Sequence, residues 1–527
     1  MPKITVDNRE VEAAEGATIL EAARAVGIDI PTLCHWDGRE PSPSCMVCVV
    51  KMADTGRLVP SCGTKARDGM RVESATEEVA DARRAAIELL LNDHVGDCVA
   101  PCQAACPLHA DIPLMIRSIA AGDLGAATAA VRDAVALPTV LGRVCPAPCE
   151  KACRRREHDE AVSIRLLERL AAAGASGGPR VPAMRPATGR RVGVVGAGPA
   201  GLAAAWRLLR DGHAVALFDD HEEPGGALRR AAPEPDLPID ALEADVGVIM
   251  AMGAVFRGGT SVGRGVPLDN LRRDFDAVVV AVGELGEDEA ARLGLPISSG
   301  RIEADATTCD TGLPGVYAAG PLAAGPGGAA RLARTALRAV ADGTACAVRV
   351  GQHLAGLPVT GPARPFSMHM GRLLEGEIEL LVAGASDAGR VRPSGGERAG
   401  LAAAEAREEA RRCLHCDCRK RTSCLLRRHA KALGSFQADP RRYGRRERAF
   451  TQDLTHPDVV YEPGKCIACG RCIEIARAAG EPDGLAFVGR GLDVRVGVPF
   501  GGTLAEGLTK AAAECVEGCP TGALAFR

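Results

Sequence analysis

Nineteen of the 21 cysteines of this chain fall into four tight groups, and only Cys309 and Cys346 stand apart. Thiols this dense either staple a disulfide scaffold or hold metal. The opening residues, Met1-Pro2-Lys3-Ile4-Thr5-Val6, read as a strand and carry no apolar signal-peptide core. A reducing, cytoplasmic setting is therefore expected, and with it metal binding. Thiolate-rich sites select zinc, copper(I) or iron–sulfur, so spacing must choose among them.

Composition removes other classes of function. The 527 residues suggest roughly three to five domains. A formal charge of −3 gives no field that would favour nucleic acid or an anionic membrane. Aromatic residues make up 3% of the chain, too few for base-stacking platforms. There is no apolar run of about 18 residues, so no membrane-spanning helix is expected. No regular internal repeat is visible.

The first cysteine group is Cys34, Cys45, Cys48 and Cys62, spaced C-x10-C-x2-C-x13-C. A hairpin around Ile4-Thr5-Val6 and Val11 and a helix over Thr18–Val26, with Ile19, Ala22, Ala23 and Val26 on one face, give it a small α/β frame. One close pair and two more distant thiols suit a 2Fe-2S cluster. Zinc, which usually takes two close pairs, is the alternative. With Ile30-Pro31-Thr32-Leu33-Cys34, Ser61-Cys62 and Asp68-Gly69-Met70, the segment resembles the N-terminal ferredoxin domain of the G subunit of NADH-quinone oxidoreductase and of iron hydrogenases. That family usually has Gly two residues before the second Cys, where this chain has Pro43-Ser44.

The second group holds Cys98, Cys102 and Cys106-Pro107, then Cys145, Cys149 and Cys153. Asp97 to Pro107, Asp111-Ile112-Pro113 and Gly142 to Cys153 resemble the N-terminal domain of glutamate synthase small subunit, which dihydropyrimidine dehydrogenase shares. The resemblance implies two 4Fe-4S clusters with interleaved ligands. It gives Cys106, Cys145, Cys149 and Cys153 to one and Cys98 and Cys102 to the other. The family has a further Cys before Cys98 that this chain lacks. His94, in Asn92-Asp93-His94-Val95-Gly96-Asp97-Cys98, is the candidate replacement and resembles the His-x3-Cys start of a cluster site in the NADH-quinone oxidoreductase subunit. The family's last ligand is a Gln or Glu on a following helix, where Glu168 stands. The plain alternatives are an ordinary packed histidine and a solvated helix carboxylate.

The third group, Cys413, Cys416, Cys418 and Cys424, could hold zinc or one 4Fe-4S cluster, and the company of other clusters favours the latter. Arg419, Lys420 and Arg421 would sit near it. The fourth is Cys466-x2-Cys469-x2-Cys472, followed by Cys515 and Cys519-Pro520. Cys-x2-Cys-x2-Cys with a remote Cys-Pro is a ferredoxin pattern. A two-cluster ferredoxin would have Cys where Ala476 stands. One 4Fe-4S cluster on Cys466, Cys469, Cys472 and Cys519 is expected, with Cys515 a packed thiol. Glu517 to Leu524 again resembles the NADH-quinone oxidoreductase subunit.

The strand Val192-Gly193-Val194-Val195 runs into Gly196-Ala197-Gly198-Pro199-Ala200-Gly201 and a helix. The glycines permit a tight turn and close pyrophosphate approach at a helix N-terminus. Asp219 ends the next strand, at the place that reads ribose hydroxyls. Gly225-Gly226, Val255 near Gly253-Ala254, the strand Phe275 to Ala281 and Gly283, and Pro314 to Gly320 resemble the FAD domain of glutamate synthase small subunit. Two features depart from it. Pro321 replaces the family's Asp after Gly320, and the span from Gly283 to Val316 is too short for the second, NADPH-binding fold; Gly283-Glu284-Leu285-Gly286 is not its glycine motif.

The expected architecture is multidomain α/β and α+β. It comprises a β-grasp 2Fe-2S ferredoxin (1–80), an α-helical domain with two 4Fe-4S clusters (81–185), a Rossmann-like FAD domain lacking the NAD(P)H subdomain (186–350), a linker with a Cys-rich 4Fe-4S segment (351–450), and a 4Fe-4S ferredoxin-like module (451–527). By resemblance, the chain is an electron-transfer subunit holding FAD, one 2Fe-2S and four 4Fe-4S clusters. Its partner would be an NADH dehydrogenase-type flavoprotein or a formate dehydrogenase or hydrogenase catalytic subunit. A self-sufficient NAD(P)H oxidoreductase and a non-enzymatic iron–sulfur scaffold are the alternatives. No acid–base pair, nucleophile elbow or metal-bound water site stands out.

Overall fold

The computed structural model describes residues 1–174, 181–230, 237–283, 291–298, 301–320, 328–363, 366–434 and 449–527. Pro321 and the Glu284–Gly286 stretch lie outside them. The chain segregates into two compact units, both discontinuous in sequence. The first unit joins residues 1–100, 365–384 and 415–527, and the second joins 101–364 and 385–414.

The first unit opens with a five-stranded mixed sheet. Lys3–Val6 pairs antiparallel with Arg9–Glu12 and parallel with Arg71–Glu73, which pairs antiparallel with Val49–Met52; Leu58–Pro60 forms the edge. The parallel pairing of the first and last strands, with a helix laid across them, is the β-grasp arrangement. That helix, Ile19–Ala25, begins with a capping box in which the Thr18 hydroxyl accepts the Glu21 N–H and the Glu21 carboxylate accepts the Thr18 N–H. It is a residue shorter at each end than the sequence suggests. Ile19, Ala22 and Ala23 are buried against Ile4, Val6 and Val50. A 16-residue helix, Glu77–Asn92, follows. The C-terminal part holds the strand pair Val459–Tyr461 and Leu524–Phe526, a second pair Ala486–Val488 and Arg495–Gly497, and helices Arg471–Ala478 and Ala512–Gly518.

The second unit combines short helices with an all-parallel sheet. Helices Ile112–Ala121, Leu124–Arg132, Pro138–Val144 and Ile164–Ala173 pack together, the first two capped by Asp111 and Asp123. The sheet order is Val316–Ala318, Ala277–Val280, Arg191–Val195, Ala214–Phe218, Val255–Arg257. Its central strands read Val-Gly-Val-Val and Ala-Val-Val-Val because both faces are covered. The helices Pro199–Arg210 and Gly328–Leu354 pack on one another beside it. Between Ala277–Val280 and Val316–Ala318 the described residues hold one small hairpin, Ile297–Ser298 with Arg301–Ile302, and no second parallel sheet.

Candidate functional site: cysteine cavities and a glycine-rich nucleotide cradle

All 21 cysteines are free thiols. Cys34, Cys45, Cys48 and Cys62 come together in the N-terminal module, at most 7% exposed. Cys34 hydrogen-bonds Cys45 and Cys62, and Cys48 hydrogen-bonds Cys62. Those hydrogen bonds, with backbone N–H groups of the 44–45 turn, hold the Cys34 thiol well below its ordinary range. The turn is possible because Met46 takes a left-handed φ of 56°. Pro43, where the related domains carry glycine, packs onto Gly63 and leaves the four sulfurs together.

In the second unit, Cys106, Cys145, Cys149 and Glu168 line one apolar cavity with Met115 and Leu141. The four come from separate places: the turn after the helix Pro101–Ala105, the end of Pro138–Val144, the short helix Pro148–Lys151, and the middle of Ile164–Ala173. Burial pushes the Glu168 carboxyl up to about 7, helped by the charge of Asp245. Burial, then the Glu168 charge, pushes Cys145 up to about 12 and Cys149 higher still. Four donors whose ionisation the apolar hole opposes fit an iron–sulfur cluster, whose iron would supply the positive charge that lets them bind as anions. The grouping differs from that read in the sequence. Glu168 joins this set, and Cys153 does not line the cavity. Cys153 instead faces Arg412, the neighbour of Cys413, and Arg155 donates to the Arg412 carbonyl at 3.2 Å. Cys102, on Pro101–Ala105, Cys153 and Cys413 each pack against the large core of the second unit.

The C-terminal cavity is lined by Cys466, Cys469, Cys472 and Cys519, with Tyr461 and Pro520. Cys515 does not line it; its thiol is fully buried and donates to the Cys472 carbonyl at 3.5 Å. Ala476 is buried in the surrounding core.

The remaining thiols regroup. In the first unit Cys98 is an electrostatic neighbour of Cys418, and Cys424 of both. Cys413 belongs to the second unit, whereas Cys416, Cys418 and Cys424 belong to the first. Cys98 and Cys102 are likewise divided. His94 lies in the first unit with its Nε2 buried and without a hydrogen-bond partner, and burial, with Lys465 nearby, pushes its pKa down to about 3.

The nucleotide cradle is built from glycine. At Gly196, φ is 98° and a Cβ would stand 2.5 Å from the Ala281 carbonyl oxygen; at Gly201 it would stand 1.8 Å from that of Gly196. Gly226 lies so close to Gly198 that its Cβ would meet the Gly198 Cα at 2.7 Å. Pro199 starts the following helix, and Ala200 beside it meets Gly320. Gly225 and Gly283 have φ of 130° and 78°. Asp219 turns back onto the loop, its carboxylate accepting the Ala197 N–H at 2.6 Å. Val255, on the edge strand, is 54% exposed, so its side chain is open to a ligand at that edge. A backbone this bare over a helix N-terminus fits the pyrophosphate of a dinucleotide.

Three stretches match known domains. Residues 2–77 match the 2Fe-2S iron-sulfur cluster binding domain, 77–176 the dihydropyrimidine dehydrogenase domain II with its 4Fe-4S cluster, and 194–251 the NAD(P)-binding Rossmann-like domain. The chain is 37% identical to NADP(+)-dependent formate dehydrogenase subunit beta of Moorella thermoacetica over 36% of its length and 31% of that protein's. It is 37% identical to NADPH-Fe(3+) oxidoreductase subunit beta of Geobacter sulfurreducens over 35% of its length and 28% of that protein's. For the glutamate synthase [NADPH] small chain of Mycobacterium tuberculosis the values are 39%, 36% and 39%. The chain therefore covers less than half the length of these curated relatives. Among the described residues no helix is long and apolar enough to cross a membrane. The chain joins 2Fe-2S-binding, 4Fe-4S-binding and Rossmann-like NAD(P)-binding domains, a set of redox-cofactor domains such as oxidoreductases carry.

Proposed function

We propose that this chain is an electron-transfer subunit that holds FAD, one 2Fe-2S cluster and four 4Fe-4S clusters within a larger redox complex. The observation that carries the reading is one apolar cluster in the first unit. Leu33, Cys34, Cys45, Cys98 and Cys424 are buried in it, and Cys469 packs against it. Three cysteine sets thus meet in one dry region. Arg471 bridges two of them: it donates to the Leu33 carbonyl at 3.2 Å, stacks 4.3 Å over the Trp36 ring, and is an electrostatic neighbour of Cys34, Cys469 and Cys519. Its buried Nε–H has no protein partner, as a donor aimed at cluster sulfur would not.

The bound groups would supply the electron chemistry: clusters carry one electron at a time, and a flavin exchanges one or two. The residues place them and set their surroundings. In the second unit the proposed ligand sets are Cys106, Cys145, Cys149 and Glu168, and separately Cys102, Cys153 and Cys413. The C-terminal set is Cys466, Cys469, Cys472 and Cys519. The glycine cradle receives the FAD pyrophosphate. The relatives' names point to formate dehydrogenase-type partners, and the sequence resemblance adds NADH dehydrogenase and hydrogenase types.

An anaerobic titration of the isolated chain tests this. Full bleaching by dithionite and none by NADH or NADPH is expected, because electrons would arrive through a partner. Rapid bleaching by either nucleotide would replace the proposal with a self-sufficient NAD(P)H oxidoreductase, a reading that the Rossmann-like NAD(P)-binding match favours. Absence of flavin after reconstitution would leave an iron–sulfur scaffold.

A further inference from the structure

We infer that His94, Cys98, Cys418 and Cys424 hold one 4Fe-4S cluster, a site assembled from two stretches of chain that the main segment of the second unit separates. The inference deepens the proposed function and rests on its reading of the chain as an iron–sulfur protein. Neither stretch is a complete site. His94-x3-Cys98 supplies two donors, and Cys418-x5-Cys424 supplies two more.

The sulfurs are close and sheltered. Cys98, Cys418 and Cys424 are 7%, 4% and 8% exposed, and each is an electrostatic neighbour of the other two. Both stretches are held rigidly. The Cys98 N–H donates to the Met368 carbonyl at 3.0 Å, and the Asp97 carboxylate accepts the Met370 N–H at 2.9 Å. The Cys424 sulfur caps the helix Leu425–Ala432 by accepting the Arg427 N–H at 3.5 Å.

Lys465 fastens the two stretches together. It is 2% exposed and is an electrostatic neighbour of His94, Cys98 and Cys418 alike. Its aliphatic stem passes so close to Gly96 that a Cβ there would lie 2.4 Å from Lys465 Cε. Its ammonium pairs with the Glu462 carboxylate. On the other side a Cβ at Gly522 would fall 2.3 Å from the Cys418 sulfur, so glycine lets that thiol seat itself. A buried lysine stabilises a net-negative cluster with three thiolates, but it cannot be a ligand while protonated.

The donor that completes the set is His94. Its Nε2 is buried and has no hydrogen-bond partner in the protein, a costly state for a polar atom. A neutral imidazole with a free Nε2 is a metal donor in waiting. Binding iron there satisfies a buried polar atom that the protein itself leaves unpaired.

Iron counting on the full chain tests the site. Cys98→Ala and Cys418→Ala should each remove about four iron atoms, and the double variant should also remove about four, because both residues serve one cluster. A loss of about eight in the double variant would overturn the inference. His94→Cys should retain the iron, because thiolate also ligates it. It should nevertheless shift the paramagnetic resonance spectrum and lower the potential of that one cluster, by adding negative charge. An unchanged spectrum would remove His94 from the site. Flavin and 2Fe-2S signals, measured in the same samples, report separately on the proposed function.

Discussion

The two cysteine cavities, one in the helical part of the second unit and one at the C-terminus, begin with the same local turn and are completed in different ways. In one, Ala147 takes a φ of 48° and donates its N–H to the Cys145 sulfur at 3.4 Å; in the other, Ala468 takes 51° and donates to Cys466 at 3.4 Å. A left-handed alanine two residues after the first cysteine curls the backbone around its sulfur in both. Beyond that turn they diverge. The C-terminal cavity finds its other thiols at Cys469 and Cys472 and in Cys519-Pro520, all within one small module. The helical cavity gathers Cys106 and Glu168 from helices on either side. A site built from one turn can be read from spacing; a site closed by tertiary packing is known only once the helices are placed.

The largest effect that would separate the two regions comes from the charge network beside Cys153 and Cys413. Arg155 and Arg412, both fully buried, share the carboxylate of Asp159. Asp159→Ala should cost about 2 kcal/mol of the second unit's stability. That is below the 3–5 kcal/mol of a fully buried pair because the Asp159 side chain is 28% exposed. Denaturation followed with probes in each unit should show the second transition moved and the first unmoved. The arginines, Arg155 first, hold the Asp159 carboxyl below the usual carboxylate range. Its stabilisation is therefore present above the unfolded carboxyl's pKa of about 3.9 and lost as pH falls through the lower, folded value. Asp159→Asn should flatten that acid limb in a pH-stability scan.

Next in size is the closing ligand. Glu168→Ala should remove about four irons from the helical cavity and leave the C-terminal spectrum intact, whereas Glu168→Gln should retain the iron through its amide oxygen. Equal iron in Glu168→Ala and the unmodified chain would erase the difference between the cavities. Cys515→Ala is the matched control at the C-terminus. It should keep all iron and cost about 1–2 kcal/mol for the small hole left in the core. Loss of four irons there would make Cys515 a ligand. The smallest effect tests the shared turn. Ala147→Gly and Ala468→Gly should each change stability by no more than about 1 kcal/mol, in the same direction, since glycine relieves the left-handed strain at a cost in chain entropy. Opposite signs, read from thermal melts, would show that the two turns are not equivalent.

Much of the fold was legible because the signals were local. The hydrophobic face of Ile19–Ala25 and the Val-rich strands before Gly196 and at Ala277–Val280 are short-range patterns, and the fold follows them. The glycine cradle was equally readable, since each close approach demands a missing side chain. The partition of cysteines was not. Cys153 lies four residues from Cys149, yet Glu168 and not Cys153 lines the cavity that Cys149 shares with Cys106 and Cys145. Spacing along the chain does not tell which helix closes a cavity. Asp219 shows the same limit at the nucleotide cradle: its position at the strand end was plain, but its hydrogen bond to Ala197 was not.

The central claim is that this chain carries a flavin together with a row of clusters. It is tested most directly by counting iron, acid-labile sulfide and flavin in protein purified without oxygen. The account predicts about 18 irons, about as many sulfides and one FAD per chain. Fewer than about ten irons, or no flavin after reconstitution, would contradict it.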